Sequence, residues 1–140
     1  MVAIFADDSD LILERLKDTA TLFPNLKVAG SFKNGIDALE AMKRLQPDLA
    51  VADIRMPGMS GLKVLTELRK ENWTGIFIVL TLYPFEIYRQ QALNAGADYF
   101  FSKADDFDKV GWVIAKMGEK GKNAEPGNDN LHEPYYKTNN

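Results

Sequence analysis

Carboxylates stand at the ends of apolar runs in this chain. Residues 2–6 lead into Asp7-Asp8-Ser9-Asp10, and Leu49-Ala50-Val51-Ala52 leads into Asp53, after which Ile54-Arg55-Met56-Pro57-Gly58 forces a turn. Two further apolar runs end on other polar groups, residues 76–80 on Thr81 and residues 97–101 on Ser102-Lys103. If the runs are neighbouring strands, Asp7, Asp8 and Asp53 meet at one sheet edge, and their mutual repulsion raises at least one pKa unless something compensates. A divalent cation is the natural compensation. Oxygen ligands without His or Cys nearby in the sequence select Mg²⁺, which keeps several waters and recruits phosphate oxygens. Thr81 and Lys103 then supply a hydroxyl donor and a cation suited to a phosphoryl group, whose transfer depends on positioning and charge stabilisation. Singly, each residue has a plainer reading. Asp53 can open a turn, Asp7 or Asp8 can cap a helix, Thr81 can be an ordinary β-branched strand residue, and Lys103 a solvated lysine. Their coincidence at the same ends of alternate elements is what favours chemistry.

The elements that must hold these residues follow from periodicity. Apolar runs without polar alternation fit strands buried on both faces, as in a parallel sheet covered by helices. Between them, helical spacing places Leu13, Leu16, Ala20 and Phe23 in a first helix capped by Ser9 or Asp10. Ile36, Leu39, Met42 and Leu45 are the expected core of a second helix, and Leu62, Leu65 and Leu68 of a third over about residues 61–71. A fourth helix is expected over about residues 84–95, and Phe107, Val110, Ile114 and Met117 mark a fifth. With a second, weaker strand over residues 26–32, five strands alternating with five helices predict an α/β, flavodoxin-like three-layer sandwich with a parallel sheet of order 2-1-3-4-5. That order seats the first and third strands side by side, so the acidic ends meet. Residues 1–117 form the expected domain. Residues 118–140, rich in Gly, Asn, Lys and Glu and without periodicity before Tyr135-Tyr136, read as a flexible C-terminal tail in which His132 is solvated.

Composition narrows the function classes. A chain of 140 residues, 46% hydrophobic and 26% charged with a net charge of -3, fits one soluble domain and gives no reason to expect membrane or direct nucleic-acid binding. It has no cysteine, which excludes disulfides, zinc-thiolate sites and thiol nucleophiles. The longest apolar run is far short of the ~20 residues that span a bilayer, and Met1-Val2-Ala3-Ile4 is unlike a signal leader, so cytoplasm is the expected location.

Taken together, Asp7-Asp8, Asp53 followed by Met56-Pro57 and Gly61, Thr81, and Lys103 resemble the receiver domain of bacterial two-component response regulators. The resemblance covers residues 2 to about 117, and residues 30–45 and 53–61 look most like receivers attached to helix-turn-helix transcription factors. It implies that Asp53 accepts a phosphoryl group from a phosphohistidine on a sensor histidine kinase or phosphotransfer protein. Asp8, Asp53 and the Arg55 backbone carbonyl would hold Mg²⁺, with Asp7 acting directly or through water. Lys103 would pair with phosphoryl oxygens, Thr81 would move to hydrogen-bond them, and Phe100 would occupy the switch-aromatic position that turns inward. The output face would be the fourth helix, fifth strand and fifth helix, meeting a downstream target or mediating a phosphorylation-dependent dimer. Such a chain is a signalling switch, not an enzyme beyond its own phosphorylation and dephosphorylation, and is either a stand-alone receiver or the receiver portion of a longer regulator.

Several residues depart from the family pattern. Leu82 stands where a small residue is usual, which predicts a narrowed entrance and slow reaction with acetyl phosphate. Arg55 and Tyr83 are both long and are expected to shield the acyl phosphate and lengthen its lifetime. Lys103 precedes Ala104 rather than the common cis proline, which predicts a trans bond and an altered loop. Phe100 lacks the hydroxyl of the common tyrosine. The main competing reading is a non-phosphorylated pseudo-receiver acting as a protein-interaction scaffold, favoured by Leu82 and opposed by the intact acidic set. Asp7-Asp8-Ser9 does not fit an aspartate-nucleophile phosphohydrolase, whose second aspartate lies two residues after the nucleophile. Three aspartates would repel the phosphate of a flavin mononucleotide.

Overall fold

Each apolar run becomes a strand because both of its faces find a helical cover. The computed structural model describes residues 1–123, and the side chains of residues 1–119. Along the chain lie β1 (Val2–Ala6), α1 (Asp10–Ala20), β2 (Lys27–Phe32), α2 (Gly35–Leu45), β3 (Leu49–Ala52), α3 (Gly61–Lys70), β4 (Ile76–Thr81), α4 (Glu86–Ala95), β5 (Tyr99–Ser102) and α5 (Lys109–Asn123). The strands form one parallel sheet of order β2-β1-β3-β4-β5, the flavodoxin-like arrangement expected from the sequence.

Alternation along the strands divides the interior in two. Ile4, Ala6, Ala50, Ala52, Phe77, Val79 and Phe100 face α2, α3 and α4. Ala3, Phe5, Leu49, Val51, Ile78, Leu80 and Phe101 face α1 and α5. Ser9, Asn34 and Ser60 cap α1, α2 and α3 by accepting from the N–H groups of Ile12, Asp37 and Lys63. The strand ends at the site are thus fixed by buried residues on both faces.

The second helix corrects the expectation drawn from spacing. Leu39 and Met42 are buried, but Ile36 is 55% and Leu45 38% exposed, and Ala38 and Ala41 complete the inner face. Successive steps of three residues turn about 300° each, so a set built only of such steps drifts around the helix and leaves its outer members in solvent. Helix α4 starts at Glu86 rather than near residue 84, and β5 at Tyr99 rather than residue 97. The late start of β5 has a cause: Gly96, at φ +99, closes α4 in the left-handed conformation, and Asp98 accepts from Arg69 Nη2 at 3.0 Å and from the Phe77 N–H at 2.9 Å. Helix α5 continues past Met117 to Asn123, and its inner residues include Val110, Val113 and Ile114. The remainder of the expected tail, with His132, Tyr135 and Tyr136, lies outside the described residues.

Candidate functional site

Register brings the acidic ends together. Ala6 pairs with Ala52, and the ladder runs one residue further, with the Asp53 N–H donating to the Ala6 carbonyl at 3.1 Å. Asp7 and Asp53 therefore leave neighbouring strands side by side. Thr81 pairs with Ser102 on β4 and β5, and the Lys103 N–H donates to the Thr81 carbonyl at 2.8 Å. By strand parity Asp7, Asp53 and Lys103 all follow the α1/α5 phase of the sheet, whereas Thr81 follows the phase of Phe77 and Val79.

The three groups in phase are in direct contact. Lys103 Nζ lies 2.8 Å from Asp7 Oδ2 and 2.9 Å from Asp53 Oδ2, and all three residues are buried. The second oxygens also have donors: Asp7 Oδ1 accepts from the Ser9 N–H at 2.9 Å and Asp53 Oδ1 from the Ile54 N–H at 2.7 Å. Burial raises the Asp7 pKa above the usual carboxylate value, and the hydrogen bond from Lys103 only partly offsets it. Burial pulls the Lys103 pKa down, but its hydrogen bonds to Asp7 and Asp53 prevail and raise it. One ammonium thus faces two buried carboxylates, while Asp8 projects to solvent. Carboxylate oxygens of Asp7, Asp8 and Asp53 lie within 4.8 Å of one another. An all-oxygen set with a surplus of negative charge fits a hard cation such as Mg²⁺.

Thr81 is fully buried, and its Oγ1 accepts from the Tyr83 N–H at 3.0 Å, leaving the hydroxyl proton for another acceptor. Phe100 is already turned inward, 6% exposed, in the α2/α3/α4 core. Leu82 is 58% exposed. An open cleft of about 490 Å³ adjoins Asp8; Arg55, Met56, Ser60 and Tyr88 line it, and Leu82 does not. Arg55 and Tyr83 do meet: the guanidinium carbon lies 4.4 Å from the Tyr83 ring centre.

The loops that carry these groups are pinned by close approach. The Gly61 N–H donates to the Ile54 carbonyl at 2.9 Å, and a side chain at Gly61 would collide with the Asp53 carbonyl. After Lys103, Ser102 Oγ accepts from the N–H groups of Ala104 and Asp105 at 3.2 and 3.3 Å, and Asp106 Oδ2 accepts from the Ser102 N–H at 2.9 Å. The Lys103–Ala104 bond is trans, as the missing proline implies. Sequence reasoning missed Ser102 and Asp106 as supports of the lysine loop, although Ser and Asp side chains commonly hydrogen-bond nearby backbone groups in turns. It also gave Tyr88 no place beside Arg55, whose Nη2 donates to the Tyr88 hydroxyl at 3.2 Å.

An acidic pocket crossed by one lysine, at the carboxyl ends of a 2-1-3-4-5 sheet, is the architecture of receiver-type signalling domains. A family model for the response regulator receiver domain matches residues 3–113, and the chain belongs to that family. It is 35% identical over 123 residues to the uncharacterized transcriptional regulatory protein YvfU of Bacillus subtilis, covering 87% of this chain and 61% of that protein. It is 32% identical over 100 residues to the nitrate/nitrite response regulator protein NarL of Escherichia coli, covering 71% and 46%. The signal receiver domain of the putative response regulator NarL from Mycobacterium tuberculosis matches with a TM-score of 0.77 at 26% identity, over 84% of this chain and 95% of that one. The chain therefore spans about half the length of the curated relatives it matches.

Proposed function

We propose that residues 1–117 act as a phosphoaccepting receiver in which Asp53 takes a phosphoryl group from the phosphohistidine of a sensor histidine kinase or phosphotransfer protein. The observation that carries this reading is the Lys103 ammonium shared between buried Asp7 and Asp53, beside exposed Asp8. Asp7, Asp8, Asp53 and the Arg55 backbone carbonyl would hold Mg²⁺, which when bound neutralises charge on the transferring phosphoryl group.

The chain's own residues do the rest. An Asp53 carboxylate oxygen attacks phosphorus; the O–P bond forms as the N–P bond breaks, and the leaving imidazole nitrogen retains the electron pair and takes up a proton from water. Lys103, within 2.9 Å of Asp53, transfers its hydrogen bond to a phosphoryl oxygen. Thr81, whose hydroxyl proton is not committed to Tyr83, donates a second. Thr81 pairs with Ser102 on β5, the strand that carries Phe100, so movement at Thr81 would reach the face of α4, β5 and α5, where a downstream protein or a second copy of the chain would dock. The chain works as a cytoplasmic switch without touching nucleic acid itself.

Borohydride trapping tests the assignment at residue level. Reduction of an aspartyl phosphate releases phosphate and leaves homoserine, so peptide mapping after incubation with phosphoramidate should find homoserine at position 53. Homoserine at Asp7 or Asp8 instead would contradict the assignment.

A further inference from the structure

Helix α4 is the most weakly held helix around the site. Phe85 at its N-cap has no side-chain group with which to cap, and Ala92 is its one buried residue; α1, α2 and α3 each have a side-chain cap and four or five buried residues. A side-chain contact ties its first turn to the phosphoacceptor loop. Arg55, two residues beyond Asp53, donates from Nη2 to the hydroxyl of Tyr88 while its guanidinium lies over the Tyr83 ring. Tyr88 in turn stacks on Phe85, with ring centres 6.0 Å apart and planes at 27°. The Tyr88 hydroxyl holds the Arg55 pKa above its usual value, with smaller contributions from Tyr83 and from the charge of Asp53. Phosphoacceptor loop, guanidinium and α4 are thus joined in series.

We infer that Tyr88 is a positioning residue: it holds Arg55, and with it the first turn of α4, until a phosphoryl group on Asp53 draws the guanidinium away. The competition is unequal. A hydrogen bond from guanidinium to a phosphoryl oxygen is charge-assisted and roughly twice as strong as one to a neutral hydroxyl. A phosphoryl group also carries about -1.5 to -2 charges near neutral pH. Once Arg55 turns to it, α4 loses this tie to the phosphoacceptor loop and is held by Ala92 and by the partly buried Tyr88 and Ala95. This inference rests on the phosphoacceptor reading of Asp53 and adds a link to α4 that does not pass through Thr81 or Phe100.

The test is amide hydrogen exchange in residues 88–92, whose N–H groups belong to the first turns of α4, on the full chain in four states. These are wild type and Tyr88→Phe, each free and loaded with beryllofluoride and Mg²⁺. Tyr88→Phe keeps the ring and its stack and removes only the hydroxyl. In the free protein it should speed exchange about 2- to 10-fold, the range for one net hydrogen bond. Loading wild type should speed exchange comparably, and loading Tyr88→Phe should add little. Arg55→Ala should match Tyr88→Phe in the free state. Unchanged exchange in free Tyr88→Phe overturns the inference, as does an equal further acceleration of wild type and Tyr88→Phe on loading. If Asp53 takes no beryllofluoride, the phosphoacceptor reading fails by itself and the inferred release of Arg55 falls with it, whereas the free-state comparison still decides whether Tyr88 holds α4.

Discussion

Among the described residues, Lys103 is the cation in contact with both buried carboxylates, so its removal and theirs should have opposite signs. The raised pKa of Asp7 means that the folded state binds this proton more tightly than the unfolded chain. Its stability contribution is fully present below the unfolded value of 3.8 and is lost as pH rises through the folded pKa. At neutral pH the ionised, buried Asp7 is therefore a cost, and Asp7→Asn should stabilise the metal-free protein by about 1 kcal/mol, the scale of a typical point mutation. The gain should vanish in acid. Urea unfolding at two pH values checks this, and a loss of stability in Asp7→Asn at neutral pH would contradict it. Lys103→Met leaves Asp7 and Asp53 unpaired and should cost about 3 to 5 kcal/mol at neutral pH, less where Asp7 is protonated. A loss independent of pH would count against the shared ion pair. Asp7, Asp53, Thr81 and Lys103 were legible in the sequence because each follows an apolar run, and a strand end is a place the pattern marks. Tyr88 was not, since it meets Arg55 across 33 positions, a separation with no periodicity to betray it.

At the scale of elements, Gly35 and Gly61, which open α2 and α3, each lie against backbone that a side chain would strike, that of Met59 and of Asp53, unlike a glycine later in the chain. A methyl group at Gly61 would strike the Asp53 carbonyl, whereas one at Gly118 in α5 meets nothing within 4 Å. Gly61→Ala should destabilise by about 1 to 3 kcal/mol through forced backbone shifts and should disturb the Asp53 loop. Gly118→Ala should instead stabilise by roughly 0.5 to 1 kcal/mol, because an interior helical glycine loses more chain entropy on folding. Thermal melts of the two variants test both signs, and a neutral Gly61→Ala would mean that the loop yields without strain. Strand ends were read from the sequence to within two residues, because a run buried on both faces, as in β1, β3 and β4, announces itself. Helix phase was read less well. Ile36 and Leu45 look like core by spacing, but alanines 38 and 41 carry the buried face where α2 crosses close to the sheet, and small residues give no hydrophobic signal of their own.

At the scale of the whole molecule, topology does the assembling. Right-handed crossovers turn the order of apolar runs into the spatial order 2-1-3-4-5, which puts the ends of β1 and β3 in contact. The candidate site was therefore readable as a set of strand ends before any distance was known. What the sequence withheld was the internal balance of that site, a single ammonium 2.8 and 2.9 Å from two carboxylates, and the tie from Arg55 to α4. The central claim is that this balance serves phosphoryl transfer to Asp53. Its most direct test is the intact mass of wild type and Asp53→Asn after incubation with phosphoramidate or a phosphorylated kinase, with and without Mg²⁺. The account predicts one added phosphoryl group in wild type with Mg²⁺ and none in the other three samples. No addition from either donor, together with no Mg²⁺ binding by calorimetry, would contradict it and leave a protein-interaction scaffold built on the same fold.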